Sequence, residues 1–200
     1  FRVTAREFLD EQPSDEVLFA NVGIPLRTQM EILCPGRGDE MVTFYRAHNH
    51  ARHDDLARPY PHVERVLDEL AAREMPMAVV TSKGRVAVDL GVRMIGLERY
   101  VPRVFTSDVV ETHKHDPFPL RHAAGELGLD LTRCIYLGDS PHDMAAARDG
   151  GAIAVAALWG MFDRESVLAE RPDYALSDID ELLELIDGDP DRFACSPKER

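Results

Sequence analysis

Cysteine is scarce in this chain. Three in 200 residues, Cys34, Cys134 and Cys195, are too few and too scattered for a disulfide framework or a zinc site. A reducing cytoplasm is the simplest setting for such usage. Long apolar runs are also missing, so neither a membrane-spanning helix nor a secretory leader is expected. Positive charge is in short supply: 23 Lys and Arg face 36 Asp and Glu, for a formal charge of −13. That balance argues against a nucleic-acid or anionic-membrane partner, because phosphate polymers are bound by basic surface. It leaves room for a small phosphorylated substrate, whose charge a few local cations and a metal neutralise. No G-x-x-x-x-G-K-[ST] occurs, which excludes a P-loop, and no expected strand runs into G-x-G-x-x-G. Internal repeats are absent as well.

What is there suffices for a proper core. Hydrophobic residues make up 44% of the chain, enough for one domain with a modest insertion, or for two small domains. Residues 1–58 read as all-helical. A helix over 1–11 is followed by one that Ser14 caps, with Asp15 and Glu16 in its first turn. A break at Gly23-Ile24-Pro25 precedes a short helix ended by Pro35-Gly36, and a longer helix spans about 39–57. Pro59-Tyr60-Pro61 makes the best boundary. Beyond it the texture alternates, with helices over 62–73, 86–94, 119–127, 164–170 and 179–186 and apolar strands near 77–81, 104–105, 134–137, 152–156 and 174–176. This alternation predicts an α/β fold with a parallel sheet covered on both faces. The expected organisation is a small helical cap over 1–58, an α/β core over 59–187, and a frayed polar tail over 188–200.

In an open parallel sheet, ligands bind beyond the carboxyl ends of the strands. At those ends stand Thr81, Ser82 and Lys83, whose hydroxyls and amides suit phosphate oxygens where a helix begins, although ordinary Ser/Thr capping explains them equally. Lys114 follows in a polar loop before Asp116-Pro117, either solvated or a point charge for a transferred group. Then come Asp139 and Asp143, flanking the start of a helix that Pro141 opens. Two carboxylates converging on one crevice make an oxygen-only site that suits Mg²⁺; the plainer account is that Asp139 turns the chain and Asp143 favours the helix dipole. Hydroxyl, lysine and acid pair at successive strand ends are more specific together than singly. Receiver domains use the same groups, but with the acids first. His48, His50 and His53 do not suggest a metal site, since His48 and His50 point to opposite sides of a helix at about 100° per residue. His113, His115 and His142 flank the proposed crevice, as substrate contacts or, more simply, as exposed loop residues, and Arg85 and Lys83 read either as contacts for an anionic substrate or as helix-surface cations. Trp159 reads as packing.

Ala78-Val79-Val80-Thr81-Ser82-Lys83, Lys114 in Lys-His-Asp-Pro, and Gly138-Asp139-Ser140-Pro141-His142-Asp143 resemble the second, third and fourth motifs of the haloacid dehalogenase superfamily. The helical first quarter is similar to that family's small cap, and the likeness runs over about residues 1–187. His48-Asn49-His50, Asp54-Asp55-Leu56, Arg58-Pro59-Tyr60-Pro61 and Ala157-Leu158-Trp159-Gly160 look like its phosphoglycolate phosphatase branch, nearest the PpaX-type pyrophosphatases. The resemblance implies a Rossmann-like three-layer core and a Mg²⁺-dependent phosphohydrolase working through an aspartyl phosphate. Thr81, Ser82 and Lys114 would bind phosphate, and Asp139 and Asp143 would serve the metal. The family's first motif, an apolar strand ending in Asp-x-Asp-Gly-Thr that carries the nucleophile, has no counterpart here. That strand would lie mid-sheet, between the strands ending at Thr81 and Leu137, so its loss would leave both with unpaired backbone groups, and a fragment of a longer protein is expected. Two other readings follow: a phosphomutase of the β-phosphoglucomutase type, or a binding protein without turnover.

Overall fold

The computed structural model describes residues 1–22, 24–106 and 117–193. The first quarter is helical, as α1 (Arg2–Phe8), α2 (Asp15–Phe19), α3 (Leu26–Leu33) and α4 (Gly38–Leu56). Ser14 caps α2 by accepting the Val17 N–H, the role its residue type predicts. Met30, Met41 and Val42 form the centre of this region, with Phe1, Phe8, Leu26, Leu33 and Tyr45 packed around them. Helix α4 continues the cap onto the remainder of the chain, where it rests against α6 (Arg85–Ile95).

The remainder alternates. Helix α5 (Val63–Ala72) leads into β1 (Ala78–Val80), then come α6, β2 (Arg103–Phe105), α7 (Phe118–Leu127), β3 (Ile135–Gly138), α8 (Pro141–Gly150), β4 (Ile153–Ala157), α9 (Arg164–Ala169), β5 (Tyr174–Leu176), α10 (Glu181–Gly188) and α11 (Pro190–Phe193). All the strand pairings are parallel. Strand β4 shows why its sequence is apolar throughout. Ile153 and Val155 face one cluster, with Val66 and Leu70 of α5 and Leu182, Leu183 and Ile186 of α10; Ala154 and Ala156 face the other, with Met144 and Ala147 of α8 and Val167 of α9. A strand covered on both faces loses the polar half of its alternation. At the start of β4, the Ala154 N–H is taken by the Asp173 carboxylate at 2.8 Å. Asp173→Ala would strand that donor and is expected to cost about 1–3 kcal/mol, read as a shifted midpoint in urea denaturation.

The sheet is divided. Among the described residues β1 pairs only with β2, and β3-β4-β5 form a separate ladder. Thr81 donates its N–H to Phe105, and Ile153 donates to Cys134. By the alternation of a parallel ladder, Val79 and Tyr136 therefore turn their backbone groups toward β2 and β4. Ala78 and Val80, and likewise Ile135 and Leu137, present theirs to the open edges of β1 and β3. Both strands are only half-buried along their whole length, whereas every residue of β4 is buried. Helices join the two halves: Met77, Ile135 and Leu137 pack on the cluster that holds α5, and α7 touches both β1 and α8.

Two details were not legible in the sequence. The expected frayed tail is corrected at its start, because α11 folds back and Phe193 is 3% exposed within the core. The second is at the junction between α4 and α5. His62 adopts left-handed backbone (φ 63°), and its Nδ1 lies 3.1 Å from Asp178 and 3.3 Å from Asp180, the latter also held by Arg65 at 2.6 Å. The hydrogen bond to Asp178, then the charges of Asp180 and Asp178, raise the His62 pKa above its ordinary 6.5, while a backbone N–H and His62 lower that of Asp178. The stabilisation from a raised histidine is complete below pH 6.5 and is lost as pH climbs through the folded value. That from a lowered carboxylate is lost only in acid. Thermal denaturation at pH 5.5 and 8.5 should show His62→Asn, which tolerates left-handed backbone, costing stability at the lower pH and little at the higher.

Candidate active site

Beyond the C-terminal end of β3 lies a set of interlocked polar side chains. The strand ends at Gly138, and Asp139 is followed at once by α8, whose N-cap is Ser140 and whose first residue is Pro141. Ser140 and Asp143 form a reciprocal cap. The Ser140 Oγ accepts the Asp143 N–H at 3.2 Å, and Asp143 Oδ2 accepts both the backbone N–H (3.1 Å) and the hydroxyl (2.7 Å) of Ser140. Tyr136 donates its hydroxyl to Asp143 Oδ1 at 3.0 Å. Burial, and then the Asp143 charge and hydrogen bond, push the Tyr136 pKa well above 10, so the phenol stays a proton donor. Gly138 is required here because a Cβ on it would meet the Asp143 Cγ at 2.6 Å.

Asp139 is held from another side. Its Oδ2 accepts the Met161 N–H at 3.2 Å, and Gly160 packs flush against it. An ionised carboxylate offers about four acceptor positions. Asp143 has committed three of them to Tyr136 and Ser140, whereas Asp139 has committed one, and its Oδ1 has no partner among the described residues. The two acids are thus neighbours with different employment: Asp143 fixes the loop, and Asp139 is free to take a ligand.

On the other half of the sheet, Thr81 follows β1 directly. Its hydroxyl accepts the Lys83 N–H at 3.2 Å, and Gly84 caps α6 without a side-chain bond. Thr81 is half-buried, Ser82 and Lys83 are exposed, and all three lie at the amino end of α6, the positive end of its dipole. Lys114, like His113 and His115, lies outside the described residues. Arg85 pairs with Asp89 along α6 at 2.8 Å, as a helix-surface cation does. Trp159 packs on the cluster built by α5 and α10. Among the described residues, the one group of metal-ligating type is His62 with Asp178 and Asp180, all within 4.8 Å. The Arg65 guanidinium already supplies the cation there. His48, His50 and His53 form no such group.

The sequence matches the haloacid dehalogenase-like hydrolase family over residues 1–157. The chain belongs to that family. Membership in that family accounts for Thr81 and Asp139 each standing just beyond a strand, and the relatives narrow the branch. The chain is 34% identical over 164 residues to the pyrophosphatase PpaX of Bacillus velezensis, covering 82% of this chain and 76% of that one. To PpaX of Anoxybacillus flavithermus it is 31% identical over 186 residues, covering 93% and 86%. Among solved structures, a hydrolase from Pseudomonas syringae superposes with a TM-score of 0.80 at 21% identity, over 94% of this chain and 90% of that one. A predicted phosphoglycolate phosphatase from Haemophilus somnus does so with 0.77 at 21% identity, over 92% and 87%. These establish the haloacid dehalogenase-like fold, a Rossmann-like core with a helical cap. No helix among the described residues is long and apolar enough to cross a membrane.

Sequence reasoning found both acids but missed what surrounds them. Tyr136 reads from sequence only as a strand residue, and Gly160 and Met161 carry no spacing that ties them to Asp139, which precedes Met161 by 22 positions.

Proposed function

We propose that this hydrolase is a Mg²⁺-dependent phosphatase for a small phosphorylated compound of the phosphoglycolate or pyrophosphate kind. The observation that carries this is Asp139: a half-buried carboxylate at a strand end, held by one oxygen and open at the other. A hard, oxygen-only donor of this sort fits Mg²⁺, which keeps several waters and takes one or two carboxylates. Asp139 would hold the ion directly, and Asp143 would orient the loop that presents it. The ion, when bound, would neutralise charge on the transferring phosphoryl group.

The chain's own groups do the rest. The Thr81 hydroxyl and the positive amino end of the α6 dipole receive phosphate oxygens, and Lys114 offsets charge on the same group. The helical cap closes over the bound compound and keeps water out until the leaving group departs. The nucleophilic carboxylate belongs on a further parallel strand between β1 and β3, where two open edges call for one. Attack from there would give an aspartyl phosphate that water then hydrolyses. The PpaX relatives favour pyrophosphate among the candidates, and the net charge of −13 favours a small substrate over a phosphate polymer.

Phosphate release from pyrophosphate and from phosphoglycolate, with and without Mg²⁺, tests the reading on a form carrying that strand. Metal-dependent release that Thr81→Val lowers by about 10²-fold is the expected result. Release that is indifferent to both metal and Thr81 would refute it.

A further inference from the structure

We propose that the Trp159-Gly160-Met161 turn after β4 is a positioning device that sets the carboxylate orientation of Asp139; this rests on the reading of Asp139 as a divalent-cation ligand. Two observations support it. A Cβ built on Gly160 would fall on the Cβ and Oδ2 of Asp139 and lie 2.6 Å from its Cγ. Nothing larger than hydrogen fits there, so the Asp139 side chain is seated against bare backbone. The adjacent Met161 N–H then binds Oδ2 at 3.2 Å, which leaves Oδ1 as the oxygen available to a ligand.

The turn is stiff enough for the task. Leu158 donates its N–H to Leu176 at 2.9 Å and Gly160 donates to Ala157 at 3.3 Å, so its backbone is tied to β5 and to the end of β4. Its side chains grip the core on opposite faces: Trp159 packs on the cluster shared by α5 and α10, while Leu158 and Phe162 pack on the one shared by α8 and α9. Met161 itself is 53% exposed and contributes its amide rather than its side chain. Groups that orient a metal-binding carboxylate are worth about 10–100-fold in metal affinity. The specificity of Gly160 is therefore one of space and not of backbone angle, since it has no positive φ.

Mn²⁺ titration of the chain followed by electron paramagnetic resonance reads this without turnover. Gly160→Ala should weaken Mn²⁺ binding about tenfold or more. In the unaltered chain, the Met161 amide resonance should shift during a Mg²⁺ titration with the same midpoint as the whole site, a readout that survives even if Gly160→Ala fails to fold. Mn²⁺ affinity equal in Gly160→Ala and the parent, or a Met161 amide that stays still while Asp139 responds, overturns the positioning role and leaves the metal reading standing. A parent chain that binds no Mn²⁺ overturns both.

Discussion

Asp139→Asn is expected to weaken divalent-cation binding by about 10²-fold or more, because a direct charged ligand contributes several kcal/mol. The substitution keeps the shape of the side chain and an oxygen for the Met161 N–H, so the fold should be retained. Asp143→Asn should behave differently. Its carboxylate is spent on Ser140 and Tyr136, so the variant loses a cap worth about 1 kcal/mol, or about 2–4 °C in Tm for a chain of this size. Its metal affinity should fall no more than about tenfold. Mn²⁺ titrations and thermal scans of both variants check the pair. Equal losses of affinity would overturn the division of labour drawn from their hydrogen bonds, and a larger loss at Asp143 would reverse it.

That division shows how far the sequence alone could reach. The strand-turn-helix around Asp139 was legible because each signal is local: an apolar run, a glycine, a proline at the first helical position and a row of alanines. For Asp143 the sequence offers a metal group or an acid that favours the helix dipole, and the structure adds a role that neither names, the reciprocal cap with Ser140. The partners of Asp139 were not legible, since Gly160 and Met161 reach it only because β3 and β4 are neighbours in the sheet. Non-local contacts of this kind leave no period in a single sequence. The same holds for His62, whose partners lie more than a hundred residues on, and for Phe193, which stands in a polar stretch yet joins the cluster of α5, β4 and α10 with its ring against Tyr174 of β5. The expected break between the strands ending at Thr81 and Leu137 is where the sheet divides among the described residues.

The divided sheet leads to the other large effect. An apolar segment placed ahead of Phe1 and ending in Asp-x-Asp should enter as a parallel strand between β1 and β3. Its backbone would pair with Ala78 and Val80 on one side and Ile135 and Leu137 on the other. Each such bond contributes about 0.5–1.5 kcal/mol net, so the set should raise Tm on the order of 10 °C for a chain of 200 residues. Hydrogen exchange gives the sharper readout, because it separates alternate residues of one strand. Without the added segment, the Val79 and Tyr136 amides, which face β2 and β4, should exchange slowly, and those of Ala78, Val80, Ile135 and Leu137 quickly. With it, all six should be protected, and metal-dependent phosphate release should rise from background. The stability and the chemistry are then separable. An added strand whose first Asp is replaced by Ala should restore protection and Tm without turnover, since only the pairing groups are needed for the one and the carboxylate for the other. Protection that does not change at Ala78, Val80, Ile135 and Leu137 would mean that the open edges of β1 and β3 are not the place for that strand, and that the nucleophile must be sought elsewhere.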